Sequence, residues 1–463
     1  MHPFARGSVL ALLVSGSVLL AAPARAHAQA GDFTLPPSGI LPNYNRVPIG
    51  QREGLEGGAF VARTNDAGAP WYNPAGLILS GKSGLNASAN AFELNSVELE
   101  GIGREQGGTR FSSIGTYFGG VLGAPVIKSS TWRLGFSYTT PVSWRPSTLD
   151  GAFQIPSGTG TESFSYGSSV ALVISIPSLA VGFRVNDRFR VGASVGWSIT
   201  NLAQNQSLSD RLTDPAQSET LTRSFVTDGA ANHLLFTGGV QWDLSSRITV
   251  GATVTSPGVR IGGSSKVNYS LTQFSGAGSR QIGFRDTEAE FEYKVPFKAV
   301  VGVGLDVGRG EVEGDVRYYG GNDRYAMFTS DELASLVTTD ANGVPTQSTL
   351  TFAPVTEAAR SVVNVAISGN YPLSNAWRVH LGFFTDRSPV KDQANSVFRS
   401  VDLVGLSTGV SFGFEHLSGS LGVMWSGGTT DEREIGPSLG GATAVTRIKV
   451  QTFNLLYALS YKF

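Results

Sequence analysis

Glu311, Glu313, Asp315 and Arg317 stand at every second position, separated by Val312, Gly314 and Val316 and followed by Tyr318. In an extended strand that spacing puts four charges on one face and apolar or small residues on the other. Such a face can hold the polar head group of a ligand. It can equally be paired with cations from elsewhere in the chain, as buried charges usually are, and Arg52, Arg63, Arg190, Lys298 and Arg378 are the candidates. Nothing around it suggests catalysis. A covalent hydrolase needs a nucleophile, a base and an orienting group. The histidines are His2, His27, His233, His380 and His416, and none sits in a nucleophile motif. The first two fall in the leader and its cleavage region. His233, His380 and His416 read as satisfied lumen or turn residues. There is no His pair at metal-ligand spacing and no phosphate-cradling loop. The chain therefore reads as a non-enzyme, with no catalytic residues, no metal and no cofactor. It has no cysteine, which removes disulfides and thiolate sites.

A second group with binding chemistry is the stretch from Met327 to Val337. Thr329 and Glu332 have the spacing of a capping box, which predicts a short helix beginning there. Phe328, Leu333 and Leu336 would lie on its apolar face. That face either packs on neighbouring loops or is a first contact surface for a hydrophobic ligand, since exposed apolar patches mark binding sites.

The elements that position these residues follow from a period of two. Phe189, Val191, Ala193, Val195, Trp197 and Ile199 alternate with Arg190, Gly192, Ser194, Gly196 and Ser198. The chain closes on Phe453, Leu455, Tyr457, Leu459, Tyr461 and Phe463 with the same alternation. Such strands have one apolar face. Repeated along a chain with 58 glycines, 10% aromatic and 15% charged residues, they describe a transmembrane antiparallel β-barrel. An all-β barrel of about 14 strands is predicted, near 85–98, 110–122, 131–141, 165–185, 188–202, 231–243, 246–257, 296–307, 310–320, 361–371, 376–386, 401–414, 417–427 and 447–463. Pro177 leaves open whether 165–185 is one strand or two. Short turns alternate with long polar segments at 99–109, 142–164, 203–230, 258–295, 321–360, 387–400 and 428–446, which places both termini on the periplasmic side. Residues 1–28 read as a signal peptide: Arg6, an apolar run from Val9, then overlapping small-x-small sites ending at Ala26, Ala28 and Ala30. The formal charge of −1 gives no case for nucleic acid. The predicted surroundings are outer-membrane lipid and lipopolysaccharide, and the predicted state is a monomer.

Residues 31–82 do not alternate. They read Gly50-Gln51-Arg52-Glu53-Gly54-Leu55-Glu56-Gly57-Gly58-Ala59-Phe60, then Asn65-Asp66-Ala67-Gly68-Ala69-Pro70-Trp71-Tyr72-Asn73-Pro74-Ala75-Gly76-Leu77. A barrel of fourteen strands is wider than its own side chains fill, so a Gly- and Pro-rich segment ahead of it has room to fold into the lumen. The Gly-Gly-Ala, the Asp followed by small residues, and Asn-Pro-Ala-Gly-Leu, with the barrel at 83–463 and the aromatic C-terminus, resemble the FadL-type family of outer-membrane long-chain fatty acid and hydrocarbon transporters. The resemblance covers the whole mature chain. It implies an N-terminal hatch, or plug, over residues 29–82. It also implies passive uptake of hydrophobic small molecules, long-chain fatty acids first and aromatic or alkane hydrocarbons next. A general porin or an adhesive barrel is the other reading of the same strands. The family resemblance further implies capture at extracellular loops and lateral exit at a kink in the third strand. That strand runs from about Thr131 to Pro141 with Gly135 as its only glycine, so Asn73, Pro74 and Ala75 are expected to face a gap in the wall near Gly135.

Overall fold

The computed structural model describes residues 32–33, 43–44, 49–80, 83–100, 106–122, 126–127, 129–145, 149–157, 160–214, 218–391, 401–429, 433–435 and 444–463. The signal-peptide assignment over residues 1–28 lies outside them, as do parts of 29–82 and of several loops.

Fourteen wall strands follow in chain order: β1 (Gly84–Glu100), β2 (Gln106–Leu122), β3 (Trp132–Trp144), β4 (Gly160–Arg184), β5 (Phe189–Thr213), β6 (Ser218–Asp243), β7 (Ile248–Thr255), β8 (Lys298–Val307), β9 (Gly310–Tyr319), β10 (Val362–Pro372), β11 (Trp377–Asp386), β12 (Leu403–Gly413), β13 (Leu417–Thr429) and β14 (Ala444–Lys462). Each pairs antiparallel with the next, and β14 returns to β1, with Gly84 opposite Lys462 and Glu100 opposite Arg447. The sheet is therefore a closed antiparallel barrel. Closure removes the sheet edge, the condition for strands to stand in lipid. Pro177 does not divide β4, which runs unbroken past it.

Outward positions of the lower wall are apolar on strand after strand: Trp197, Phe236, Val301, Ile367, Leu381, Leu421 and Leu459 are all exposed. At the short-turn end Trp132, Phe183, Trp242, Tyr371, Trp377, Tyr461 and Phe463 form an aromatic girdle.

Several stretches expected as long polar loops are strand instead. β5 continues to Thr213 and β6 begins at Ser218, so the segment 203–230 is mostly ladder. Strands Val259–Ser275 and Gly278–Phe291 form a hairpin that pairs with β6, and Leu333–Asp340 with Pro345–Phe352 extends that sheet further. The pattern inverts on the way up. On β5 the outward residues are Val191, Val195 and Trp197 low down, but Asn201, Asn205, Ser207 and Ser209 above, while Leu202 and Leu208 turn inward. Water replaces lipid outside, so polar residues face out and apolar ones fill the interior. That interior is a core containing Leu172, Leu202, Phe225, Phe284, Phe291, Phe328, Leu336 and Phe352.

The helix expected from Thr329 does not form. Asn322–Thr329 and Leu333–Asp340 are strands. Thr329 donates to Glu290 at 3.2 Å, and it is the Ser330 hydroxyl that accepts the Glu332 N–H. The β-branched run Val337-Thr338-Thr339 and the partner strand at Gly278–Gly283 outweigh the local cap.

Candidate functional site

Residues 49–80 lie inside the barrel, held by side chains from many strands. Ser88 on β1 accepts the Gly50 N–H, Ser407 on β12 donates to the Leu55 carbonyl, and Ser420 on β13 donates to the Gln51 carbonyl. Gln241 on β6 donates to the carbonyls of Ala62 and Thr64 at 3.0 and 2.9 Å. Backbone groups that no helix or sheet satisfies are met this way by the wall.

The four charges of β9 face this segment. Glu313 accepts from the Ala62 N–H at 2.7 Å and from Arg63 Nε at 2.7 Å; Glu311 pairs with Arg63 at 3.1 Å and with Arg378 at 3.3 Å. Asp315 accepts the Phe60 N–H, and Arg317 donates to the Gly57 carbonyl. Of the cations named from sequence, Arg63 and Arg378 are partners here, whereas Arg190 pairs with Asp243. Sequence reading missed Glu56, which is fully buried and bonded to Arg63, His380 and Asn370. Burial opposes its ionisation. The His380 hydrogen bond and the Arg63 charge outweigh that and hold its carboxyl at about 2. Glu53 shows the opposite balance, its carboxyl pushed well up by burial and by the charge of Asp66.

Asn73, Pro74 and Ala75 form the turn between a short helix, Ala69–Tyr72, and a 3₁₀ segment, Pro74–Leu79. The Asn73 amide donates to the carbonyls of Val61 and Val240, both at 2.9 Å, and its oxygen accepts the Ala75 N–H at 3.1 Å. This turn lies against β4, β5 and β6, not against β3 as expected. A Cβ on Gly192 would collide with the Pro74–Ala75 peptide, so only glycine admits the turn there.

Gly135 is not at a gap either. It is paired on both sides, to Val121 and to Ala180, and the space above it is filled by Leu77 and Pro70. The β2–β3 ladder ends higher up. β2 and β3 pair only from Tyr117 opposite Thr139 to Leu122 opposite Leu134. Above Thr139 the β3–β4 register slips by one residue, at Thr140-Pro141, and β3 stops alternating: every residue from Thr139 to Trp144 is buried. A bulge with a proline, which cannot donate to a ladder, bends the strand inward. The upper part of β2 is left without a ladder partner on this side among the described residues.

Behind this seam lies a cavity of about 180 Å³. Pro141 and Val142 line it on the seam side, Trp71, Ile176, Leu235 and Tyr319 are among its apolar lining, and Asp315 and Arg317 also border it. It holds one amine. Lys298 Nζ lies 5.2 Å from the Trp71 ring centre and 5.7 Å from that of Tyr319, and it makes no ion pair among the described residues. Tyr44 stacks on Tyr319 at 4.5 Å. The arrangement can hold an apolar body against aromatic walls with an anionic end at Lys298. The apolar residues named from the loop are not an open patch. Phe328 and Leu336 are 1% and 6% exposed, inside the core above the lower wall, and only Leu333, at 57%, faces out.

No family model and no curated protein sequence matches this chain. Solved structures do. The crystal structure of a FadL homologue from Pseudomonas aeruginosa is 14% identical, covers 92% of this chain and 99% of its own, and has a TM-score of 0.58. The toluene transporter TodX of P. putida is 13% identical over 90% of this chain and 99% of its own, with a TM-score of 0.58. The toluene transporter TbuX of Ralstonia pickettii is 13% identical over 91% of this chain and all of its own, at 0.52. Nearly end to end, this chain has the barrel fold of those transporters.

Proposed function

We propose that this protein is an outer-membrane channel for passive uptake of hydrophobic small molecules, with long-chain fatty acids as the preferred class. Residues 1–28 act as the export signal and 29–82 as the plug. The observation that carries the substrate class is Lys298, an amine that makes no ion pair among the described residues, in a cavity whose apolar and aromatic lining is joined by Asp315 and Arg317. A half-buried cation gains from an anion beside it, so the cavity favours a ligand that brings one with its apolar body. The ligand enters through the extracellular region and leaves sideways through the seam above Thr139. Leaving into lipid spares it about 0.8 kcal/mol for each CH₂ kept from water. Asn73, Pro74 and Ala75 act by fixing the plug to β4, β5 and β6, which keeps the polar lumen shut. Glu311, Glu313, Asp315 and Arg317 anchor the plug rather than the ligand.

Uncharged aromatic hydrocarbons are the second reading, favoured by the solved toluene transporters with this fold. The two separate on one variant. Lys298→Met in proteoliposomes is expected to lower uptake of labelled oleate about 10- to 100-fold, the worth of a charged hydrogen bond, and to leave toluene entry unchanged. Equal oleate uptake by both proteins would overturn the fatty-acid reading, and free passage of a sugar through the wild type would overturn the channel assignment.

A further inference from the structure

The inner faces of β5 and β6 carry a second polar group that the plug does not use. Ser198 on β5 and His233 on β6 are cross-strand partners, and Thr200 follows Ser198 on the same face. All three are buried, His233 to 1% exposure. Neither ring nitrogen of His233 and neither hydroxyl oxygen has a hydrogen-bond partner among the described residues. His380 and His416, by contrast, both have partners, so the expectation of a satisfied histidine fails only at His233. Leaving such groups unmade costs about 1–3 kcal/mol each, so several together call for a partner that arrives later.

The group adjoins the cavity. Ser198 and Leu235, on either side of His233, line it, as does Val295, and a Cβ placed on Gly258 would touch His233 and Val295 alike at 3.1 Å. Its distance from Lys298 follows from the register. Lys298 is opposite Thr255, Thr255 opposite Thr237, and His233 lies four residues above Thr237. Two strand spacings and four residues of rise amount to about 16 Å along the wall. A chain held by its head at Lys298 meets this group with its middle or far end.

A neutral imidazole offers one donor and one acceptor, and each hydroxyl offers both. No ion pair of any of the three is present among the described residues, so the match is an uncharged oxygen function, not a second anion. We propose that Ser198, Thr200 and His233 form a subsite for a hydroxyl carried along the ligand's chain, which makes hydroxylated long-chain acids the substrates bound best. This rests on the reading of the cavity as a hydrophobic-ligand site. It goes further by assigning a chemical class.

The test is equilibrium dialysis of the detergent-solubilised full chain against stearate and 12-hydroxystearate, with heat-modifiable migration as the folding control. Wild type is expected to bind the hydroxylated acid about five- to tenfold more tightly. In Ser198→Ala/Thr200→Val and, separately, in His233→Leu, the ratio falls to one. A wild-type ratio of one, as when water alone fills the subsite, overturns the proposal, and so does a ratio that the folded variants leave unchanged. Binding of neither acid to wild type strikes the proposed function itself.

Discussion

Two neighbouring parts of one wall solve the same problem in opposite ways. β5 and β6 are zipped for 25 residues, from Phe189 opposite Trp242 to Thr213 opposite Ser218. β2 and β3 share six pairs and then part. In hydrocarbon every unpaired backbone group costs several kcal/mol, so an open ladder is tolerated only where protein or water takes the place of the missing strand. β3 meets that condition by turning inward above Thr139, where both its faces are buried. The zipped side carries the plug's turn, and on the unzipped side Pro141 and Val142 line the cavity.

Rejoining the seam is the change with the largest expected effect. Deleting Thr140 and replacing Pro141 with Val removes the extra residue and restores the missing donor. Uptake of labelled oleate is expected to fall at least about tenfold, with the gel shift of a folded barrel retained, if ladder and lipid access exclude each other. Normal uptake in a folded variant would mean that ligand leaves by another route.

On the zipped side, Gly192→Ala drives a methyl into the Pro74–Ala75 backbone, which has no flexible end to yield. Overpacking of this kind costs about 1–3 kcal/mol. Thermal unfolding should shift down, and sugar-loaded liposomes should begin to leak as the plug loosens. An unaltered melting profile with tight liposomes would show that the turn does not hold the plug.

Acid tests the same attachment. The Glu56 carboxyl lies near 2 in the fold against an ordinary 4.5. A lowered carboxyl stabilises the protein above about pH 4.5, and the contribution fades as pH falls toward 2, roughly 3 kcal/mol in all. Wild type should lose stability across that window more steeply than Glu56→Gln. Parallel acid curves would remove Glu56 from the account. Glu53, raised by burial and Asp66, acts in the opposite sense, favouring the fold at low pH.

The smallest effect is expected at Gly135→Ala. The new methyl would meet the end of Leu77 at 2.6 Å, which can turn aside, and the stiffer Pro70 ring at 2.9 Å. A cost of about 1 kcal/mol, at the low end of overpacking, and full uptake are anticipated. Loss of uptake here, with a folded protein, would move the exit down to Gly135 and reverse the contrast between the two sides.

The outward residues in lipid follow one rule, apolar at every second position, and that rule is visible from β1 to β14. It failed above the membrane because the two faces exchange character there: Asn205, Ser207 and Ser209 on β5 read as loop only when lipid is assumed outside. It failed at Thr329 because a cap is worth less than a strand partner supplied from Gly278–Gly283. The charged face of β9 was legible for the same reason as the strands, by period. Its partners were not, since Arg63 lies 250 residues away from Glu313 in sequence.

The sequence by itself determined the closed β-barrel, the count and order of its wall strands, and the presence of a non-alternating segment ahead of them, because lipid imposes a local pattern on each strand. Only the tertiary structure decided where the β2–β3 ladder ends, which strands hold the Asn73 turn, and that Lys298 and Ser198 border one cavity, with His233 opposite Ser198. Those depend on register between strands and on how the inner segment packs, and neither leaves a periodic trace in the chain.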